Sequence, residues 1–139
     1  MLELVPLAHA TATLSPPIML PNTPSGMRVI FEMTDYRLEG DRLAARQKGA
    51  AAADWLVVGP DGTATLDVRV TLETADGATL LMRYGGRVDA SRGLGGAPIY
   101  ATPQFETGDD RYLWLNRIQA VAKGTLDGST VTYELFELR

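Results

Sequence analysis

The chain has 139 residues, 45% of them hydrophobic and 22% charged, which is enough for one domain with its own core and too apolar for a disordered chain. It has no cysteine and a single histidine, which excludes disulfides and thiolate metal sites and leaves zinc without its usual ligands. A net charge of −4 with scattered Lys and Arg argues against a phosphate-backbone partner, so no nucleic acid is expected.

Turn signals recur at short intervals along the chain, and runs rich in Val, Leu, Thr and Tyr lie between them. That rhythm belongs to an all-β sandwich or barrel in a single domain over 1–139. The first residues show no positive leader, and no apolar run reaches the roughly eighteen residues of a membrane span. The expected location is therefore cytoplasmic, with no membrane partner. Strands are predicted near 2–14, 27–39, 42–48, 54–59, 63–75, 78–88, 97–106, 117–126 and 130–138. His9, in the first, reads as a surface or satisfied core residue. Residues 15–26 carry four prolines without periodicity and read as a long loop or an irregular edge. Ala50–Ala53 is too short to nucleate a helix and reads as a bulge or tight turn.

Residues 64–73 alternate without a break, with Leu66, Val68, Val70 and Leu72 on one face and Thr65, Asp67, Arg69, Thr71 and Glu73 on the other. Asp76-Gly77 and Asp127-Gly128 mark two-residue hairpins, whose central positions favour positive φ. Gly93-Leu94-Gly95-Gly96 lacks the βαβ context of a dinucleotide fingerprint and reads as a flexible loop. Residues 109–116 form a one- to two-turn helix with acidic residues at its start.

The chemistry depends on which strand face is enclosed. Asp67 and Arg69 share a face: turned to water they are an ordinary solvated surface, and turned inward they are an acid and a cation for an oxyanion. Glu106 ends a strand and leads into the short helix. Tyr112 and Asn116, four apart on that helix, share a side, where they either polarise a carbonyl or help to close one end of the sheet with Trp114. Trp55 is a ligand wall or a core residue. Tyr36, Tyr84, Tyr100 and Tyr133 are strand tyrosines, and several pointing into one barrel would supply hydroxyl donors.

Ala53-Asp54-Trp55, Asp61-Gly62 with Leu66-Asp67, Leu72-Glu73-Thr74 with Asp76-Gly77-Ala78, Phe105-Glu106-Thr107 and Tyr112-Leu113-Trp114-Leu115-Asn116 occur in that order. In this combination the chain resembles the bacterial domain-of-unknown-function family 3237 from about Glu39 onward, and more weakly before it. It departs from the family's paired glycines at Thr34-Asp35-Tyr36 and at Ala51-Ala52. The resemblance implies a single antiparallel β-barrel of about eight to nine strands, lipocalin-like or allene-oxide-cyclase-like, and no established reaction. The family's motif positions fall on Asp54, Trp55, Asp67, Glu106, Tyr112 and Asn116.

Polar residues at fixed motif positions suit a pocket, so the resemblance implies a polar barrel interior. Leu66, Val68, Val70 and Leu72 would then face outward under a partner subunit, giving a homodimer or higher oligomer. The expected function is an isomerase, cyclase or lyase acting on a small organic molecule by acid–base chemistry, without a cofactor or metal. Asp67 or Glu106 would move the proton, with Tyr112 or Arg69 at the oxyanion. Asp54, Trp55 and Asn116 would hold and shape the substrate. The alternatives are a non-catalytic carrier or sensor barrel and a filled barrel serving as an assembly module.

Overall fold

The computed structural model describes residues 1–139 and contains ten strands and one short helix. The strands are β1 (Leu4–Leu14), β2 (Ile18–Thr23), β3 (Gly26–Glu39), β4 (Ala45–Val58), β5 (Thr63–Thr74), β6 (Thr79–Asp89), β7 (Ile99–Ala101), β8 (Gln104–Glu106), β9 (Ala120–Asp127) and β10 (Thr130–Leu138). They pair antiparallel in the order β1-β10-β9-β7-β6-β5-β4-β3, and β3 pairs back onto β1. The result is a closed eight-stranded barrel. Two strands are additional: β2 extends the sheet from β3, and β8 takes a second place along β6.

The barrel interior is apolar, which corrects the expectation of a polar lining. Leu66, Val68, Val70 and Leu72 are each no more than 5% exposed, whereas Asp67 and Arg69 face outward. The inward rows of the other strands are apolar too, including Val29, Met33, Leu80, Met82 and Leu135. An eight-stranded barrel has an interior about wide enough for side chains to fill it. Turning β5 over would strip water from Asp67, Arg69 and Glu73 without giving them partners, and would leave two leucines and two valines in water. The outward apolar face inferred for β5, and the subunit contact built on it, are therefore absent.

The segments expected at 42–48 and 54–59 are one strand, β4, with the alanine run bulged out of it. Gln47 pairs with Leu72 and Ala52 with Val70, so five residues of β4 span two of β5. Gly49 turns there with φ 69°, and Asp35 on β3 also has positive φ. Gln47 fills the gap in the ladder: its amide nitrogen donates to the carbonyls of Met33 and Gly49, and its amide oxygen accepts from the Tyr36 N–H. The proline-rich stretch holds β2 as an edge strand. The single strand expected over 97–106 breaks around Pro103 into β7 and β8.

The Asp127-Gly128 signal is a two-residue hairpin, but its centre is Gly128-Ser129, because Asp127 pairs with Thr130. Positive φ falls on Gly128 alone. The β5–β6 turn holds three residues, Ala75-Asp76-Gly77, because Thr74 closes onto Ala78. The helix, Asp110–Arg117, is 3-10, capped by the Asp109 side chain accepting from the Arg111 N–H. It closes one end of the barrel with Leu115 fully buried, and Arg42 lies over the Trp114 ring at 5.4 Å. The 59–62 and 128–129 turns and the loop 90–98, with Leu94 against the core, form the opposite end.

Candidate active site

Two carboxylates lie on inward rows of the barrel: Glu137, which is paired with Arg42 and Arg139, and Asp54, which has no cation partner. Asp54 follows Ala52 and precedes Leu56 on the inner face of β4, stands across from Val68 of β5, and is 6% exposed. Its Oδ1 accepts the backbone N–H of Asp67 at 2.9 Å. Burial raises its carboxyl from the ordinary 3.8 to about 7, the Asp67 N–H opposes that rise, and the Asp67 charge beyond the wall adds to it.

A cavity of about 40 Å³ lies beside it at the end away from the helix, with room for roughly three waters. Asp54 is the only charged residue on its wall, and the other eleven lining residues are hydrophobic, among them Phe31, Met33, Leu66, Leu94, Ile99 and Tyr133. Tyr133 belongs to a buried aromatic chain. Its ring meets Tyr84 edge-on at 5.5 Å, and the hydroxyls of Tyr84 and Tyr36 are 3.1 Å apart. Desolvation holds all three phenols above their ordinary titration range, so they remain neutral hydroxyls at physiological pH. Gly124, paired with Tyr133 across β9 and β10, makes room for that ring, since a Cβ there would collide with it. Of the four strand tyrosines, Tyr100 alone is on the outside.

The other expected site residues lie elsewhere. Asp67 and Arg69 share an outer groove with Arg83 and Gln104, and Glu106 and Asn116 share a neighbouring one. The barrel wall separates both pairs from the cavity. The Asn116 amide is engaged by Thr107, accepting its N–H at 2.8 Å and donating to its carbonyl at 2.9 Å. The Tyr112 hydroxyl donates to the Asp76 carboxylate at 3.0 Å, fastening the helix to the β5–β6 turn. Trp55 is 41% exposed on the outer face. The expected convergence of Asp67, Glu106 and Tyr112 around one interior pocket is thus corrected: Asp67 and Glu106 are on outward strand faces, and Tyr112, half-buried against the core, turns its hydroxyl to Asp76. No three His, Asp or Glu side chains gather in a metal-holding arrangement, and no helix is long and apolar enough to cross a membrane.

Sequence reading placed Asp54 with the substrate contacts and missed its position as the enclosed acid. The signal was parity, because Asp54 is in phase with Ala52 and Leu56. It was masked because Ala53 and Val57 make the opposite row equally apolar there.

Residues 2–138 match the family described as "Protein of unknown function (DUF3237)". The chain belongs to the DUF3237 family. The match takes in the N-terminal third, so β1 and β2 are part of the family domain. A β-barrel-like protein from Acinetobacter baumannii is 30% identical, with a TM-score of 0.90, over 100% of this chain and 97% of that one. A protein of unknown function from Rhodopseudomonas palustris is 20% identical with a TM-score of 0.91, covering 100% and 99% of the two chains. An enzyme from Penicillium herquei has the same fold at 21% identity and a TM-score of 0.70, covering 99% and 94%. No curated protein matches the chain.

Proposed function

We propose that this DUF3237 barrel is an enzyme that moves a proton on a small, mostly apolar molecule in its interior, as an isomerase, cyclase or lyase without a redox cofactor. The observation that carries the reading is Asp54, a lone carboxyl on an otherwise hydrophobic cavity wall, raised to about 7 by burial. A carboxyl at that value both takes and returns a proton near neutral pH. Tyr133 lines the same cavity as a neutral hydroxyl suited to a developing oxyanion. Asp54 thus takes the role first assigned to Asp67 and Glu106.

The substrate class follows from the wall. With no cation on it, an anionic substrate would be desolvated without compensation, so an uncharged molecule with one carbonyl or hydroxyl fits best. The cavity of about 40 Å³ is smaller than such a molecule, so binding requires its walls to open; Leu94 is the one lining residue outside a strand, and Gly93 and Gly96 at φ 97° and 90° flank it. The Penicillium herquei protein, described as an enzyme, supports the reading by analogy of fold. A second reading, a carrier of apolar ligands, is favoured by the same hydrophobic lining.

The test is hydrogen–deuterium exchange at the α-carbon of a panel of small cyclic ketones in D2O, followed by NMR. Exchange catalysed by the wild type and lost in Asp54→Asn supports the proposal. Exchange that survives in Asp54→Asn removes Asp54 from the mechanism, and saturable binding of the ketones without exchange selects the carrier.

A further inference from the structure

We propose that two copies of this chain associate through the outer face of β2, β3 and β4, about a two-fold axis lying along the row Ile18–Ile30–Trp55. Cross-strand register puts these three side by side: Ile18 pairs with Ile30, and Ile30 with Trp55. Leu20 and Val57 flank Arg28 in the next row of the same face. Ile18, Leu20 and Trp55 are 49%, 42% and 41% exposed, so the face carries an apolar patch on the order of 300 Å², comparable to the largest patch of an ordinary soluble monomer, which is often a functional one.

Three features select a second copy as the occupant. The first is charge symmetry. Arg28 and Glu32 stand two residues either side of Ile30 on the outer face of β3, so an axis through the Ile30 row sets Arg28 of each copy over Glu32 of the other. Neither residue takes part in any of the ion pairs within the chain, and Arg28 Nη1 donates to the Trp55 carbonyl at 2.8 Å, which holds the guanidinium on this face without neutralising its charge.

The second feature is the edge. β2 ends the sheet and its far side pairs with nothing; Pro21 and the strand's six-residue length guard it against strand addition, so its uncharged face rather than its edge is left for contact. A self-pairing surface therefore meets no like-charge barrier along β2. The third is continuity: Ile18, Leu20, Ile30, Trp55 and Val57 lie on one face of three adjacent strands, with Arg28 and Glu32 as polar positions beside them. This contact is independent of the interior site and lies on different residues from the β5 face first expected to be covered.

Sedimentation equilibrium of the full chain tests it. The wild type is expected at twice the 15.0 kDa chain mass at micromolar concentration. Arg28→Glu and Glu32→Arg each set like charges against each other across the axis and are expected to weaken the dimer about tenfold or more. Mixing the two variants, or combining both substitutions in one chain, is expected to restore it, because each arrangement again opposes unlike charges. Restoration on mixing also shows that both variants are folded. A monomeric wild type overturns the proposal, as does a dimer indifferent to both reversals or one that neither mixing nor the double substitution restores.

Discussion

Replacing Asp54 by Asn tests the enclosed carboxyl without a substrate. Below about pH 4 the carboxyl is protonated in both folded and unfolded chains and adds no pH dependence. Between 3.8 and about 7 the unfolded chain releases the proton and the folded chain keeps it, so the folded state loses about 1.4 kcal/mol for each pH unit. Above 7 the loss levels off at about 4 kcal/mol, a large share of the stability of an ordinary domain. Asparagine has no such titration and keeps an oxygen for the Asp67 N–H, but it encloses an unpaired amide NH2, at a pH-independent cost of about 1–3 kcal/mol. The difference between the two proteins is therefore expected to change sign. The variant is less stable than the wild type at pH 4 and more stable at pH 8. Urea unfolding followed by circular dichroism at several pH values measures this directly. A difference constant from pH 4 to 8, or a wild type that gains on the variant as pH rises, would refute a raised carboxyl at Asp54 and with it the acid–base reading.

Four other outcomes follow from particular contacts. Leu72→Ala, at a fully buried position on the inner row of β5, is expected to cost about 2–5 kcal/mol in denaturant unfolding, whereas an outward-facing Leu72 would lose little. Tyr36→Phe removes one end of the buried hydroxyl pair with Tyr84 and should cost about 1 kcal/mol by the same measurement. Asp67→Asn and Glu106→Gln, both on exposed outer surface, should each leave stability within about 0.5 kcal/mol and leave α-carbon exchange intact; loss of exchange in either would move the chemistry to the outer grooves. Asn116→Ala, which frees both backbone groups of Thr107, should speed amide exchange at Thr107 and along the 3-10 helix, with about 1 kcal/mol lost overall.

Much of the fold was legible because β-structure writes its period into the chain. The unbroken alternation at 64–73, the Gly-marked turns and the acid-headed segment before Trp114 each correspond to an element. Legibility failed where side chains rather than backbone pattern decide geometry. Gln47 reaching across to Met33 and Tyr36, and back to Gly49, keeps β4 continuous through its alanine bulge, and nothing local to residues 47–53 announces the two bonds to β3. The site was half legible. Asp54 and the inward tyrosines were marked as candidates, yet the acids at Asp67 and Glu106 drew more weight because their motif positions and alternation were clearer.

The sequence by itself determined an all-β fold and the two faces of β5, since period and turn chemistry are local properties, and its ordered motifs carried the resemblance to the DUF3237 family. Which face of β5 is enclosed was decided only by the closed barrel. Alternation is symmetric between its two sides, and the choice is made collectively by eight strands whose apolar rows must fill one narrow interior. That same closure leaves Asp67 in water and shuts in Asp54, thirteen residues away and joined to it by one backbone hydrogen bond.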